Sequence, residues 1–334
     1  MDPYSFTNRA VFHWYRKASL VSRWLLGSRK TKINGRDEGD TEYDPHFTDR
    51  VIAATGQDAN PRLKQIMPAL LRHLHDFARE VDLTVAEWMA GVELINEAGR
   101  MSTDRRNETL LICDILGLES LVDEITSKLL LRSAGSSNAI TPSAVLGPFY
   151  RANAPLLANG SSIISASARD TPWYKNAIPL LAHISGRVLS ASTHKPIPNA
   201  IVDIWLAGPN GLYEQQDVDQ PEMNLRGRFC AGKNGRYEIY ALRPTAYPIP
   251  FDGPAGRLLK LLDRGPYRPA HIHFIVTADG HGTLTTQIFD REDPYIEDDA
   301  VFAVKEELLV DFEEKKGDEK AKWQLTYDFL LREA

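Results

Sequence analysis

Cysteine is almost missing from this chain: Cys113 and Cys230 are the only two in 334 residues, and they lie far apart among apolar neighbours. That excludes a disulfide framework and reads as two buried thiols of a protein kept in a reducing compartment, taken here as the cytoplasm. No apolar run approaches the length of a bilayer-spanning helix, so no transmembrane segment is expected. No nucleotide-binding glycine motif is present, so no nucleotide-borne reductant is expected either. A net charge of −6 argues against nucleic acid as a partner. Acidic residues are also missing locally. None lies between Asp2 and Asp37, a stretch that holds Arg9, Arg16, Lys17, Arg23, Arg29, Lys30, Lys32 and Arg36. This predicts a basic N-terminal arm packing on an acidic surface of its own chain or of a dimer mate, with an organellar import segment as the alternative.

What is present divides by periodicity. Residues 1–59 form the arm and a loose polar connector. Helical pattern begins at Asn60-Pro61, a cap followed by proline at the first helical position. Leu63, Ile66, Met67, Leu70, Leu71, Leu74 and Phe77 follow at three-four spacing. Pro68 is expected to kink that helix or mark a late start. Thr84 and Glu87 make a capping box for a second helix, and a third apolar segment runs over 110–129. This unit is too apolar on one side to stand alone. Small residues at 133–138 mark a boundary, and period-two runs take over: 184–189, 200–206, 236–241, 270–277, 284–289 and a closing strand over 323–329. Asn234-Gly235 signals a hairpin between 229–231 and 237–239. The fold class is α+β, a helical domain at 60–132 followed by an antiparallel β-sandwich at 133–334.

The chemistry centres on Arg268-Pro269-Ala270-His271-Ile272-His273-Phe274. On a strand, alternate residues share a face, so His271 and His273 point together while Ile272 and Phe274 pack behind them. Two imidazoles on one face are half of a metal site. The second His-x-His, His73 and His75, lies in helical pattern, where such a pair diverges; it reads as surface histidine. Tyr213 and Tyr247 stand beside glycine or proline in turn-like sequence, where loops could aim them at a shared centre. Two phenolates with two imidazoles suit a hard trivalent metal, Fe(III), better than zinc.

Further motifs fall in order: Gly-Leu-Tyr at 211–213, Asn-Leu-Arg-Gly-Arg at 224–228, the Tyr247 loop, Asp-Gly-Pro at 252–254, the histidine strand and Leu-Thr-Thr-Gln-Ile at 284–288. Together they resemble the intradiol ring-cleaving dioxygenases, the catechol and hydroxyquinol 1,2-dioxygenase group, over most of residues 60–312. In the helical unit, Glu87-Trp88 and Leu116-Gly117 fall where that family has them. The resemblance implies that Tyr213, Tyr247, His271 and His273 are the iron ligands, with Tyr247 also taking a substrate proton. It implies that Arg268 lies over the substrate ring and that Gln287 lies near the metal. It makes the sandwich catalytic and the helical unit a homodimerisation domain, and some bacterial relatives hold a lipid between these helices. Substrates would be a catechol-type diol or triol and O2.

Val145-Leu146-Gly147-Pro148-Phe149, Ile249-Pro250 after the second tyrosine, and the small Val301 all resemble the hydroxyquinol branch. A third ring hydroxyl needs a polar partner, for which Asp123 or Glu124 is the expected residue. Three alternatives stand: a catechol 1,2-dioxygenase, an Fe(II) extradiol enzyme using Asp203 or Asp217 as carboxylate ligand, and a non-catalytic transthyretin-like sandwich.

Overall fold

The computed structural model describes residues 43–134 and 140–334. The basic arm over 1–42 and the core of the predicted boundary at 133–138 therefore lie outside the described residues. Five helices come first: α1 (Phe47–Ala53), α2 (Pro61–Glu80), α3 (Val85–Met101), α4 (Glu108–Ile115) and α5 (Leu118–Ala134). Asn60 accepts from the backbone of Arg62 and Leu63, and α2 then runs through Pro68 without ending. Thr84 and Glu87 form the capping box reciprocally, at 2.9 and 3.3 Å. Two expectations need correction here. The connector contains a helix, α1, and the third apolar segment is two helices broken at Gly117, whose φ of +70° no ordinary residue holds cheaply. Contacts group the chain into two compact units that meet between Leu94 and Ile95. Among the described residues no helix is long and apolar enough to cross a membrane.

The strands are β1 (Leu156–Leu157), β2 (Leu181–Ser190), β3 (Ile201–Trp205), β4 (Arg226–Cys230), β5 (Arg236–Leu242), β6 (Tyr247–Pro248), β7 (Tyr267–Arg268), β8 (His271–Thr277), β9 (Leu284–Asp290), β10 (Leu309–Val310), β11 (Glu313–Glu314), β12 (Trp323–Thr326) and β13 (Phe329–Leu331). A further helix, α6 (Pro254–Leu261), lies between β6 and β7. One sheet runs β1-β4-β3-β8-β9-β10; the other runs β11-β12-β2-β13, with β5 also pairing β2. Ile272, Phe274 and Val276 of β8 are fully buried in the core that includes Val202 and Ile204 of β3 and Ile184 and Ile239 of the second sheet. The alternation read from sequence thus leaves His271 and His273 on the opposite face of β8.

The sheets are mixed, not wholly antiparallel. β1 pairs β4, β10 pairs β9, and β12 and β13 pair β2, all in parallel. Each of these arrives after a long connection, the condition parallel pairing requires. The closing strand is two short strands, not one. Asn234-Gly235 does turn the chain, but it makes no hairpin: β4 pairs β3 while β5 pairs β2, so the turn carries the chain from one sheet to the other. A Cβ at Gly235 would stand 2.6 Å from the Val188 carbonyl, which explains the glycine. Cys230 is exposed and Cys113 half-buried. The expected burial fails for Cys230 because it follows buried Phe229 at the end of β4 and takes the outward side.

Candidate active site

β8 is central, flanked by β3 and β9, and the register sets Trp205 and Gln287 beside His273. Paired residues share a face, so this alone gathers an indole, an imidazole and an amide. The two-stranded ribbon of β6 and β7 places Tyr247 opposite Arg268, three residues before His271. Tyr213 comes from the loop after β3. Gly211 lets that loop close down, since a Cβ there would lie 2.7 Å from Tyr247 Cβ and its φ is +76°. Four donor atoms then form a closed ring. Tyr213 Oη lies 3.0 Å from Tyr247 Oη, which lies 3.4 Å from His271 Nε2. His271 Nε2 lies 3.2 Å from His273 Nε2, which lies 3.1 Å from Tyr213 Oη.

The donor set fits a metal. An ion with bonds of about 2.0–2.2 Å holds neighbouring donors about 3 Å apart. His271 Nδ1 lies 2.6 Å from the Pro269 carbonyl, so its proton sits there and Nε2 turns a lone pair inward. Burial pushes both phenol pKa values up and both imidazole values down, with Tyr247 adding to the rise at Tyr213 and the Arg268 charge adding to the fall at His271. Four neutral, buried donors with converging lone pairs are what a cation at their centre would satisfy. Trp205 stacks on His273 at 4.8 Å and 10°. Among the described residues no three His, Cys, Asp or Glu side chains converge as a metal set. Asp203 lies in β3 and Asp217 binds Asn210 and Gln220, so the carboxylate an extradiol site needs is not assembled.

Comparison with known proteins decides the family. A model described as "Dioxygenase" matches residues 147–333, and one described as "Catechol dioxygenase N terminus" matches residues 60–129. The chain belongs to the intradiol ring-cleavage dioxygenases. It is 45% identical over 289 residues to the intradiol ring-cleavage dioxygenase prcA of Aspergillus niger, covering 86% of this chain and 88% of that one. It is 44% identical over 291 residues to catechol 1,2-dioxygenase of Candida albicans, covering 85% and 91%. The solved structure of hydroxyquinol 1,2-dioxygenase from Pseudomonas putida DLL-E4 superimposes with a TM-score of 0.70 at 34% identity, covering 86% and 97%.

In this intradiol dioxygenase Arg268, Gln287, Gly147, Phe149 and Leu146 contact the ring or its aromatic surroundings, and Asp123 and Glu124 are engaged elsewhere. Arg268 is buried, donating to Gln287 Oε1 at 2.8 Å, and Gln287 donates to the Val145 carbonyl at 2.6 Å. Gly147 has φ +78° and packs on His273, where a Cβ would lie 3.1 Å from Cε1. Phe149 lies 4.9 Å from the Tyr213 ring, and Leu146 packs on the same aromatic cluster. The Pro148 carbonyl accepts from Asn107 at the start of α4. Ile249 and Val301 are buried, and the Pro250 carbonyl would stand 2.3 Å from a Cβ at Gly256 of α6. The Asp123 carboxylate is taken by Lys305 at 2.6 Å, and Lys305 also reaches the Ser143 carbonyl. Glu124 pairs with Lys128 on an exposed surface.

Three further residues were not singled out from sequence, although Arg226 lies inside the motif at 224–228. Asp299 is buried and pairs with Arg268. Arg226 is buried and stands 5.7 Å over the Tyr213 ring, bound to Glu214 at 2.7 Å. Asp114 on α4 is 1% exposed, with Oδ1 buried and unpartnered. Burial, with the Glu119 carboxyl beside it, holds its pKa far above the usual carboxylate range against the opposing charge of Arg268. Glu119 in turn accepts from the Leu146 backbone at 2.9 Å and keeps its own second oxygen buried and unpartnered. The Asx-like run Cys113-Asp114 inside apolar α4 was the available signal: an acidic residue on the inner face of a short buried helix.

Proposed function

We propose that this enzyme holds Fe(III) in the ring of Tyr213, Tyr247, His271 and His273 and opens benzene-1,2,4-triol (hydroxyquinol) between its two ortho hydroxyl carbons. The product would be 3-hydroxy-cis,cis-muconate, which tautomerises to maleylacetate. Iron bound there supplies the electron withdrawal that makes a chelated ring react with O2. The rest is done by the chain. Tyr247, opposite Arg268 across the ribbon, would be a phenolate once it holds the metal, and in that form it is the group to take a substrate proton. Arg268, fixed by Gln287 and Asp299, places a permanent positive charge where negative charge develops on the ring. Phe149, Trp205 and Ala207 line the surroundings with buried apolar surface that keeps water from the reacting centre.

Hydroxyquinol is favoured over catechol by the single observation of Asp114. Asp114 and Glu119 form a buried carboxyl pair close enough to Arg268 for their charges to interact, and such a pair can bond an extra ring hydroxyl. Asp123, already engaged by Lys305, does not offer this. A site built around that bond leaves its carboxyl unsatisfied when catechol occupies it. Specificity constants for the two substrates, measured side by side with product masses, test the reading. Hydroxyquinol should exceed catechol by about tenfold or more, one neutral hydrogen bond's worth. Asp114→Ala should remove most of that preference and spare catechol. A catechol value equal to or above that for hydroxyquinol ends the assignment and favours the activity named for the Candida relative.

We further propose a homodimer formed through the helical region. On α2, Leu63, Ile66, Leu70, Leu74 and Phe77 recur at three-four spacing and are 40–53% exposed. On α5, Leu121, Val122, Ile125 and Leu129 are likewise exposed. Apolar stripes of this length are covered in a stable protein by another chain, or in part by a lipid. Sedimentation at micromolar concentration should give twice the monomer mass, and a monomer would refute it. Lipid extraction and mass spectrometry of the purified dimer would settle whether the stripe also carries an acyl chain.

A further inference from the structure

We infer that Asp299 is a positioning residue that ties the orientation of Arg268 to the turn carrying Val301, so that one carboxylate sets turnover and ring selectivity together. The inference rests on the reading of Arg268 as the group that faces the bound ring. Each oxygen of Asp299 is doubly engaged. Oδ1 accepts from Arg268 Nε at 3.2 Å and from the Val301 backbone at 3.2 Å. Oδ2 accepts from an Arg268 terminal nitrogen at 3.4 Å and from the Ala303 backbone at 2.9 Å. Both side chains of the pair are at most 5% exposed.

Two features make this more than a turn cap. The first is charge. Arg268 Nη1 lies 3.0 Å from His271 Nε2, at the rim of the donor ring. A cation in that ring repels a guanidinium so close to it, and at this depth the repulsion is poorly screened. Asp299 is the carboxylate that ion-pairs with Arg268, and it pulls from the side away from the histidines. Gln287 anchors the guanidinium as well, but as a neutral acceptor it supplies no compensating charge.

The second feature is the wiring of the turn. Val301 donates to Asp299 and accepts from Ser120 Oγ of α5 at 2.8 Å. Ala300 donates to the Tyr267 carbonyl, next to Arg268 in β7, at 3.0 Å. The backbone at 301 and the guanidinium at 268 are therefore tied to one carboxylate. Shifting either breaks bonds to the same carboxylate. The residue expected to make room for the substrate ring and the residue expected to act on it share one anchor.

The bland alternative is that Asp299 only caps its own turn. Asp299→Ser separates the two, because serine keeps a short acceptor for the turn's N–H groups but cannot hold a guanidinium by charge. Asp299→Asn is the second variant if the serine variant fails to fold; it disturbs cap and ion pair together, so its reading comes from its combination with Arg268→Ala. Either flip of the asparagine sets its NH2 against one backbone donor and one guanidinium donor. Each is assayed for kcat, KM, iron per chain and the hydroxyquinol-to-catechol ratio, alone and combined with Arg268→Ala. The expected result is a kcat lowered at least tenfold with iron retained and a ratio moved toward unity. The combined variant should be no slower than Arg268→Ala alone, the signature of two residues acting through one. Losses that multiply in the combined variant, or wild-type kcat in both single variants, overturn the inference. If Arg268→Ala is slow and Asp299→Ser is not, only the positioning role falls. If Arg268→Ala turns over normally, the arginine reading falls and takes this inference with it.

Discussion

Alanine at His273 or His271 is expected to remove metal and turnover together, with iron per chain near zero and product formation at least 10³-fold below wild type. Each imidazole supplies one corner of the four-donor ring, and the corners are 3.0–3.4 Å apart. Losing one leaves three donors and a gap beside Trp205 or Phe289, which solvent would fill. The tyrosines give a different signature. Tyr213→Phe and Tyr247→Phe keep ring volume and packing but delete the oxygen that would bind iron as phenolate, so the visible ferric tyrosinate band should weaken or shift before the iron is lost. Metal analysis and absorption spectra of all four variants check this, with a melting curve to exclude unfolding. Four variants with wild-type iron and colour would mean that the ring is not the metal centre.

Arg268→Ala should show the converse: iron and colour kept, kcat lower by about 10²–10³-fold, the usual cost of deleting one preorganised charge aimed at a developing anion. Some stability is lost as well, because Asp299 is left as a buried carboxylate without its partner. Arg268→Lys, which returns the charge without the fork, should recover part of the rate. Unchanged turnover in Arg268→Ala would take the residue out of the mechanism.

How much of this was legible beforehand depended on whether the signal was local. Period two over residues 270–277 was enough to put both histidines on one face, and no tertiary information was needed. The tyrosines were legible because glycine and proline around them mark loops free to converge. Asp299 was not, since its meaning lies in a partner 31 residues away and in a turn that no periodicity announces. Asp114 was missed for a nearer reason. The segment over 110–129 reads from sequence as one apolar segment, with Asp123 or Glu124 as its candidate acid. The break at Gly117 starts a new helix with a new phase, leaving Asp114 inside and Asp123 on Lys305. Asn234-Gly235 signals a turn truthfully but carries no information about which sheet each flanking strand joins. The mixed sheets have the same origin: residues at 323–331 encode strands, and only the packed core tells them to pair with β2.

That last pairing has a consequence for how the chain is born. β3, β4, β8 and β9 are antiparallel neighbours whose partners lie within about a hundred residues, so the strands bearing the histidines can zip up while synthesis continues. β2 is different. It can take β5 early, but its other hydrogen-bonding edge waits for Trp323–Thr326, with Ile184 facing Leu325 across the whole length of the domain. Closing a loop of that span costs roughly 4 kcal/mol of chain entropy, and no nearby contact offsets it in advance. Until Trp323–Thr326 have been made, the nascent protein carries an unpaired strand edge of the kind that recruits other chains. Its window of risk is therefore set by the time synthesis takes to run from β2 to β12.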